Sequence, residues 1–353
     1  MRIAFVWTGF TSYMADCWRR LASEGSGNGE EVSLRVWIED VSTGAGRLET
    51  ERLMQGIDWW SATGEELRAE HGKLKARVEV EIADWSPDAL FICGWARELP
   101  PYLATSERLK TIPKILCCDM PWAWKMRKFA ARFVLWRRLR RFRKIMVPGE
   151  AAAKYARWLG FADRDIIRGE YAIDVRRFVR ESPDGSGEQR RGFLFVGRKV
   201  QEKGVEVLRR AYEIYRTKTV PEDEVWELDI PEWIDPKDVP RVMREHACLV
   251  LPSHWEPWGV VVAEAMAAGM KVIVSDRVGA RLDLPVNAVF RDGDAEGLAA
   301  ILRNVSSEVT DWSALRSARP VLGFYDCESW AERVVNAVRE VAGGRGGMGN
   351  EDS

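Results

Sequence analysis

The sequence LVLPSHWEPWGVVVAEAMAAGMKVIVSDRVGARLDL, residues 249–284, decides the predicted fold. Its first three residues are apolar and a proline ends them, which is typical of a buried strand. After an aromatic loop, Gly259 opens an alanine-rich helix over residues 260–268, which a second glycine ends. A second apolar run over residues 271–275 completes a strand–loop–helix–strand unit. Such a unit predicts a parallel sheet with a ligand site at the carboxyl ends of its strands.

Two acids lie in this stretch, Glu256 in the loop and Glu264 inside the helix. The predicted helix begins at Gly259-Val260, where free N–H groups and a positive dipole end suit a phosphate. Glu264 has apolar neighbours, so its carboxylate needs a partner, and sugar hydroxyls are suitable ones. The alternative is a solvated loop acid and a salt-bridged helix acid. The spacing alone leaves both interpretations open.

The spacing and the neighbours of these acids resemble the E-x7-E motif of family 4 (group 1) retaining glycosyltransferases. Pro-Trp-Gly follows Glu256 where the family usually has Pro-Phe-Gly, and Glu264 begins the run Glu-Ala-Met-Ala-Ala-Gly. Ser275-Asp276 and Gly279-Ala280 fall in register with the family as well. The resemblance implies an α/β protein of the GT-B fold, with two Rossmann-like doubly wound parallel-sheet domains facing a central cleft. It also implies sugar transfer from a nucleotide-diphosphate sugar to an acceptor hydroxyl, with retention at the anomeric carbon.

Length and composition agree with a two-domain enzyme. The 353 residues are 46% hydrophobic and carry a net charge of −1, so the whole molecule does not favour a nucleic-acid partner. The six cysteines have no metal-type spacing and indicate reduced, cytosolic thiols. No apolar run approaches the length of a membrane span, and the chain enters a strand at once, which predicts no signal peptide. We therefore expect a cytoplasmic protein, either free or peripheral at the inner face of the cell membrane.

Alternating strands and helices divide the chain into segments with different predicted roles. Residues 1–182 form a Rossmann-like acceptor-binding domain, and residues 183–326 form a Rossmann-like domain that binds the nucleotide sugar. Residues 327–342 form a helix that crosses back to the first domain, and residues 343–353 form a flexible tail.

The donor site is predicted from the second domain. Gly197-Arg198 and Lys203-Gly204 resemble the family's two cations that hold the donor diphosphate. A bidentate guanidinium and a compact ammonium on a glycine-containing loop suit that task. The resemblance implies that Arg198, Lys203 and the helix N-terminus at Gly259-Val260 receive the developing negative charge.

The same resemblance assigns the sugar and the ribose of the donor. Backbone N–H groups of Trp258 and Gly259, together with Glu256, would hold the sugar, and Glu264 would hold the ribose. Gly9 is what remains of the family's first glycine loop and is a further donor-binding candidate. A plain strand-to-helix turn explains Gly9 equally well.

The first domain lacks a histidine that the family often places at the carboxyl end of a strand. His71, His246 and His254 stand elsewhere in the chain. Asp119, which follows the predicted strand at residues 115–118, is therefore the catalytic candidate there. It would orient the acceptor hydroxyl or support the cationic transition state. The alternative is that Asp119 is only the polar end of a strand.

Residues 125–144 form the most unusual segment, with ten Lys and Arg residues and no acid. Aromatic residues recur there at helical spacing, which predicts a cationic amphipathic helix that contacts anionic lipid or a lipid-linked acceptor. The alternative is a surface helix with its aromatics packed inward under arginine stems. A nucleic-acid function is disfavoured because no binding motif accompanies the charge. The candidate contact residues are Lys125, Arg127, Lys128, Arg132, Arg137 and Arg138.

Several features depart from the family or could mislead. After residues 225–230 the usual Gly-x-Gly-Pro turn, helix and strand are missing, so one βα unit is shortened or lost and the nucleotide base stays open. Residues 42–62 lack periodicity and predict a variable loop that shapes an acceptor pocket. Asp292-x-Asp294 and Asp163-x-Asp165 look like metal sites but stand near helix starts, where acids serve as caps. We predict no metal and no cofactor.

The predicted partners are a nucleotide sugar, a carbohydrate or lipid-linked acceptor, and an anionic membrane surface, with a role in polysaccharide or glycolipid assembly. An inactive nucleotide-sugar-binding scaffold is one alternative, since the family histidine and a βα unit are missing. A membrane- or nucleic-acid-docking module built on the basic segment is another. A phosphorylase is a third, but no pyridoxal-type lysine context supports it.

Overall fold

The computed structural model describes residues 1–24, 31–41, 46–62, 71–94, 97–122, 126–179, 191–218, 225–307 and 319–343. The predicted tail from residue 344 onward and the candidate Lys125 lie outside these residues.

The strands of the described residues have the following bounds: β1 Arg2–Gly9, β2 Ser33–Asp40, β3 Asp58–Ser61, β4 Ala89–Cys93, β5 Lys114–Cys117, β6 Lys144–Val147, β7 Ile166–Arg168, β8 Phe193–Leu194, β9 Leu228–Asp229, β10 Cys248–Leu251, β11 Lys271–Ser275 and β12 Ala288–Phe290.

The helices have the following bounds: α1 Ser12–Glu24, α2 Gly46–Leu53, α3 His71–Trp85, α4 Leu99–Thr105, α5 Met126–Val134, α6 Trp136–Leu139, α7 Glu150–Leu159, α8 Val175–Phe178, α9 Val205–Lys218, α10 Val239–Glu245, α11 Val260–Ala267, α12 Ala295–Ser307, α13 Arg319–Phe324 and α14 Cys327–Gly343.

The chain forms two compact units. Unit 1 holds the residues up to Pro148, then Ala152–Ala172, and the residues from Cys327 onward. Unit 2 holds Gly149–Ala151 and Ile173–Asp326. The division therefore falls after residue 172, whereas the sequence places it after residue 182.

Unit 1 is built on a seven-stranded sheet in the order β3-β2-β1-β4-β5-β6-β7. Its neighbouring strands are parallel throughout. The central strands are almost wholly apolar because helices cover both faces of the sheet, and each face carries its own core cluster. All carboxyl ends of the strands therefore lie at one edge of this sheet.

The predicted loop at residues 42–62 is wrong for the part of it that the structure describes. Helix α2 and strand β3 lie there, and β3 pairs in parallel with β2 through Trp37 and Trp60. Strand β3 has only four residues, DWWS, at the edge of the sheet, and the first three are exposed or half-buried whereas Ser61 is buried. So short an edge strand carries no clear alternation of apolar and polar residues.

Helix α14 packs into the core of unit 1. Trp330 is buried against Phe5 of β1 with ring centroids 5.9 Å apart, and its indole N–H donates to the carbonyl of Glu170 at 2.9 Å. Val334, Val335 and Val338 are buried in the same cluster as residues of α1. Helix α14 thus completes the core of unit 1, although it follows unit 2 in the chain.

Unit 2 has a five-stranded sheet in the order β12-β11-β10-β8-β9, again parallel at each pairing. Residues 225–251 are all described, and between β9 and β10 they hold α10 and no further strand. The lost βα unit that the sequence predicts is therefore absent from the sheet.

No helix among the described residues is both long enough and apolar enough to span a membrane.

Candidate functional site

The candidate site of unit 2 lies at the carboxyl ends of its parallel strands. The loop after β8 carries Arg198 and Lys203, and the loop after β10 carries Glu256 and Trp258. The loop after β11 begins at Asp276. Because parallel strands end at the same edge of a sheet, these loops come together although they are far apart in the chain.

Lys203 and Glu256 form an ion pair at this edge, between the ammonium Nζ and the carboxylate Oε2. The two side chains are only 17% and 13% exposed. Water therefore screens the pair weakly, and each charge depends on the other for compensation. The structure thus joins two residues that the sequence predicts for different parts of the donor.

Gly204 brings the Lys203 loop against the loop after β10. Its φ is +65°, and a Cβ at this position would stand 2.1 Å from the carbonyl oxygen of Pro252. The backbone N–H groups of His254 and Trp255 donate to the carbonyl of Glu202 at 2.9 and 3.3 Å. Glycine is required because no side chain fits between these two backbones.

Helix α11 begins beside Glu256. Its N-cap is Gly259, in a left-handed conformation with φ of +101°, and a Cβ there would stand 3.2 Å from Cγ of Glu256. Val260 and Glu264, both half-buried, are in the helix itself. The first-turn N–H groups of α11 therefore lie near the ion pair and offer donors for an anion.

Trp258 has a structural role that the sequence does not indicate. Its side chain is buried, packs on Tyr325 with ring centroids 4.7 Å apart, and donates from Nε1 to Asp283 at 3.0 Å. Its carbonyl accepts from the N–H of Ala280 at 2.8 Å. This residue anchors the loop that carries Glu256.

Arg198 is exposed and makes no ion pair or hydrogen bond with any other described residue. A guanidinium in this state has all its donors available to an incoming anion. It lies on the same loop as Lys203, as the predicted diphosphate site requires.

His254 and Asp292 form a pair that sequence reasoning missed. Nδ1 of His254 lies 2.5 Å from Oδ1 of Asp292, whose other oxygen is 3.6 Å from Nε of Arg277. Nε2 of His254 points toward Gly204, within 3.5 Å of the place where a Cβ would stand. The Ser253-His254 dipeptide, just before Glu256 in the same loop, is the sequence feature that could have indicated this pair.

The two Asp-x-Asp pairs have other uses. Asp294 accepts from the N–H of Gly297 at 2.8 Å and thus caps α12, as the sequence predicts. Asp163 has no capping bond and instead pairs with Arg157 and Arg168, so the cap interpretation is wrong there. Within the described residues, no group of three or more His, Cys, Asp or Glu side chains could hold a metal ion.

Asp119 and Gly9 lie at the carboxyl edge of the sheet in unit 1. Gly9 is the last residue of β1, and Asp119 follows β5. The half-buried Asp119 carboxylate accepts from the phenol of Tyr171 at 2.9 Å. The hydrogen bond from Tyr171 therefore fixes the position of the Asp119 carboxylate, and its predicted role toward the acceptor stays a prediction.

Glu170 is buried beside Asp119, and sequence reasoning missed it too. Its side chain is 1% exposed, and neither carboxyl oxygen has a hydrogen-bond partner among the described residues. Burial, and next the charge of Asp119, raise the pKa of Glu170 well above its ordinary value. The glutamate before Tyr171 gave no hint of burial in the sequence.

The basic segment forms two helices, α5 and α6, which Leu135 separates. Phe133 is 63% exposed and Trp136 is 47% exposed. Inward packing of the aromatics is therefore wrong for these two residues, although it holds for the buried Phe142. The side chains of Arg127 and Lys128 lie outside the described part of the structure.

Arginines surround this exposed apolar surface. The guanidinium groups of Arg137 and Arg140 lie over the Trp136 ring at 5.7 and 5.5 Å from its centroid. Arg132 lies 5.8 Å from the Trp158 ring, and Arg138 has no ion pair with a described residue. A groove of about 790 Å³ runs beside α6, with Arg143 and Phe161 in its wall.

Comparisons with known proteins match this architecture. The family model of the glycosyl transferases group 1 matches residues 227–308. An uncharacterized glycosyltransferase of Methanocaldococcus jannaschii is 30% identical over 135 residues, which is 33% of this chain and 33% of that protein. The chain thus spans a third of the curated relative that it matches.

Solved structures resemble nearly the whole chain, among them the following two. Anabaena HepE, in complex with UDP and glucose, matches with a TM-score of 0.71 at 14% identity over 96% of this chain and 100% of HepE. The lipopolysaccharide outer core galactosyltransferase WaaB matches with a TM-score of 0.64 at 14% identity over 96% of this chain and 99% of WaaB. The predicted GT-B fold and the predicted resemblance to the group 1 family are confirmed.

Proposed function

Because the chain carries a domain of the glycosyl transferases group 1 family, we propose that it transfers a sugar from a nucleotide-diphosphate sugar to an acceptor hydroxyl. The observation that carries this proposal is the Lys203–Glu256 ion pair beside the N-terminus of α11. It joins a cation for the diphosphate and a carboxylate for the sugar in one site.

The donor diphosphate competes with the Glu256 carboxylate for the ammonium of Lys203. A diphosphate carries more negative charge than a carboxylate, so it displaces Glu256 from the ammonium of Lys203. The exposed Arg198 binds the diphosphate bidentately, and the N–H groups of α11 contribute further donors. The released Glu256 then accepts hydrogen bonds from sugar hydroxyls, and Glu264 accepts them from the ribose.

The chemical step separates the diphosphate from an oxocarbenium-like sugar, with retention at the anomeric carbon. The fixed cations of Lys203 and Arg198 stabilise the leaving diphosphate as its charge develops, so no metal is needed for that charge. Asp119 in unit 1 orients the acceptor by accepting a hydrogen bond from its hydroxyl group. The exposed guanidinium of Arg198 and the nearly buried ammonium of Lys203 lie on one loop, and this supports their joint role toward the diphosphate.

The test is thermal stabilisation by nucleotide sugars, with and without magnesium. The panel starts with UDP-glucose, because HepE was crystallised with it, and continues with GDP, ADP and dTDP sugars. Lys203→Ala should abolish the shift. The exposed Lys237 of the same unit, as Lys237→Ala, is the matched control and should keep it.

The alternatives give different results in this experiment. A shift with no sugar transfer would favour the inactive scaffold. The absence of a shift with every donor, or an equal shift in Lys203→Ala, would contradict the donor site. Magnesium dependence would contradict the metal-independent mechanism.

We also propose that the acceptor is lipid-linked and that the protein works at an anionic membrane face in polysaccharide or glycolipid assembly. Exposed Phe133 and Trp136 beside arginines support this proposal, since apolar area and cationic charge together favour anionic lipid. Each basic residue near such a surface contributes about 1 kcal/mol.

Vesicle sedimentation tests this proposal. The wild type should bind phosphatidylglycerol vesicles and not phosphatidylcholine vesicles, and Phe133→Ser/Trp136→Ser should bind far more weakly. Leu48→Ser removes another exposed apolar side chain of unit 1 and is the control. Equal binding by both variants, or none by the wild type, would contradict membrane docking.

A further inference from the structure

We propose that Trp233 is the platform on which the base of the nucleotide donor stacks. The inference rests on the proposed function for the class of ligand, a nucleoside diphosphate, and adds the residue of this chain that holds the base. Trp233 lies between β9 and α10. All the residues that carry the argument belong to unit 2.

The exposure of Trp233 is the first observation. Its side chain is 74% exposed, whereas Trp226 and Trp258 of the same unit are 6% and 1% exposed. A large, flat, apolar ring that stays in water offers a surface to a ligand that is also flat and aromatic. Single exposed apolar side chains are common on proteins, so the position of this one has to identify the ligand.

The position of Trp233 is the second observation. Strand β9 pairs in parallel with β8, so the loops after the two strands leave the same edge of the sheet as neighbours. An ion pair joins these loops, with Nζ of Lys199 2.5 Å from Oε1 of Glu232. Lys199 directly follows Arg198, and Glu232 directly precedes Trp233. The contact therefore brings the segment with the exposed indole alongside the loop that carries the cations for the diphosphate.

The segment around Trp233 is held on both sides. On one side, Glu232 is held by the ion pair between the two loops. On the other side, the Asp235 carboxylate accepts from the N–H of Lys237 at 3.0 Å, and the Asp235 carbonyl accepts from the N–H of Asp238 at 2.8 Å. A platform that is held in place before the ligand arrives loses little conformational entropy on binding.

A nucleoside diphosphate combines the two chemistries that these neighbouring loops offer. Its diphosphate is anionic and suits Arg198 and Lys203, and its base is flat and aromatic and suits the indole of Trp233. Val200, which is 39% exposed, adds apolar surface to the loop after β8. Because every base has an aromatic face, stacking strengthens the binding of purines and pyrimidines alike.

Titration calorimetry with two ligands tests the proposal. UDP carries both the diphosphate and a base, whereas inorganic pyrophosphate carries the charge without a base. Trp233→Ala should weaken UDP binding about 10- to 100-fold and leave pyrophosphate binding within about twofold of the wild type. Trp233→Phe keeps an aromatic face and should lose less affinity for UDP than Trp233→Ala. GDP and ADP take the place of UDP if the wild type does not bind UDP.

Two variants serve as controls in this experiment. Val289→Ala shortens another exposed apolar side chain of unit 2, on β12 at the opposite end of the sheet from β9, and should bind both ligands as the wild type does. Lys203→Ala should lose affinity for both ligands, because it removes charge and leaves the stacking surface in place. Since Trp233 is exposed, Trp233→Ala should unfold at the same temperature as the wild type.

The outcomes separate this inference from the proposed function. Unchanged UDP binding in Trp233→Ala, or an equal loss of affinity for UDP and for pyrophosphate, would overturn the stacking role. A loss confined to UDP, in a protein that transfers no sugar, would support the platform and contradict the transferase. If the wild type binds none of the nucleoside diphosphates, both the platform and the proposed donor are wrong.

Discussion

The Lys203–Glu256 ion pair predicts a large coupling free energy between its two side chains. Exposed ion pairs contribute about 0–1 kcal/mol, whereas removal of one partner from a buried pair costs about 3–5 kcal/mol. With exposed fractions of 17% and 13%, this pair lies closer to the buried case. Lys203→Met alone should therefore lower the free energy of unfolding by about 2–3 kcal/mol, because Glu256 is left without its partner.

The double variant Lys203→Met/Glu256→Gln should recover most of that loss, because it leaves no buried charge. A double-mutant cycle measured by urea unfolding should give a coupling free energy of about 2 kcal/mol. Lys218 and Glu296 provide the matched control in unit 2, with Nζ and Oε2 3.3 Å apart and side chains 59% and 66% exposed. The cycle for that pair should give about 0.5 kcal/mol or less.

The same pair predicts opposite effects on nucleotide binding and on turnover. Glu256→Gln should bind UDP more tightly, by about tenfold or 1.4 kcal/mol, since the Lys203 ammonium is no longer shared. It should also transfer sugar more slowly, because an amide is a weaker acceptor for sugar hydroxyls. Titration calorimetry with UDP measures the first effect. A coupling no larger than that of the Lys218 control, or weaker UDP binding in Glu256→Gln, would refute the reasoning.

Three further predictions concern the framework of the site and of unit 1. Gly204→Ala and Gly293→Ala both place an alanine at positive φ, which costs roughly 1–2 kcal/mol of stability. Gly204→Ala should cost about 1–3 kcal/mol more, because its Cβ clashes with the carbonyl of Pro252 and no atom stands near a Cβ at Gly293. Equal losses in thermal unfolding would contradict the close approach of the two loops. Trp258→Phe removes the bond to Asp283 and should cost about 1–2 kcal/mol in urea unfolding, and a loss within error of zero would show that the anchor is unimportant. Burial lowers the pKa of Lys114 to about 8 from its ordinary 10.5, so the unfolded chain binds more protons and stability rises with pH across that interval. Lys114→Met should lack this rise in a pH series of unfolding midpoints, and parallel curves would refute the assignment.

The fold was predictable where apolar runs are long and their ends are marked. Strands β10 and β11 and helix α11 follow the sequence closely, because Pro252, Gly259 and Gly269 delimit them. Strand β3 escaped prediction because four residues at the edge of a sheet are too few to show a periodic pattern. The break at Leu135 escaped as well, since no proline or glycine marks it.

The candidate site was predictable as a set of residues and not as a set of contacts. Lys203 and Glu256 are 53 positions apart, and only the sheet order brings their loops together. Glu170 shows the limit most clearly. The sequence around Glu170 predicts a surface residue. Its burial results from the packing of α14 and of the strand ends around it, which the local sequence does not indicate.

The position of α14 has a consequence for how the protein is made. A ribosome delivers β1 and α1 before unit 2, yet the apolar side of those elements is covered by Trp330, Val334 and Val338, which are synthesised only after unit 2. The nascent first unit therefore cannot close its core while unit 2 is still being translated. Its exposed apolar surface during that interval makes it a natural client for chaperones, and a chain that terminates before α14 should aggregate even with every strand of its sheet present.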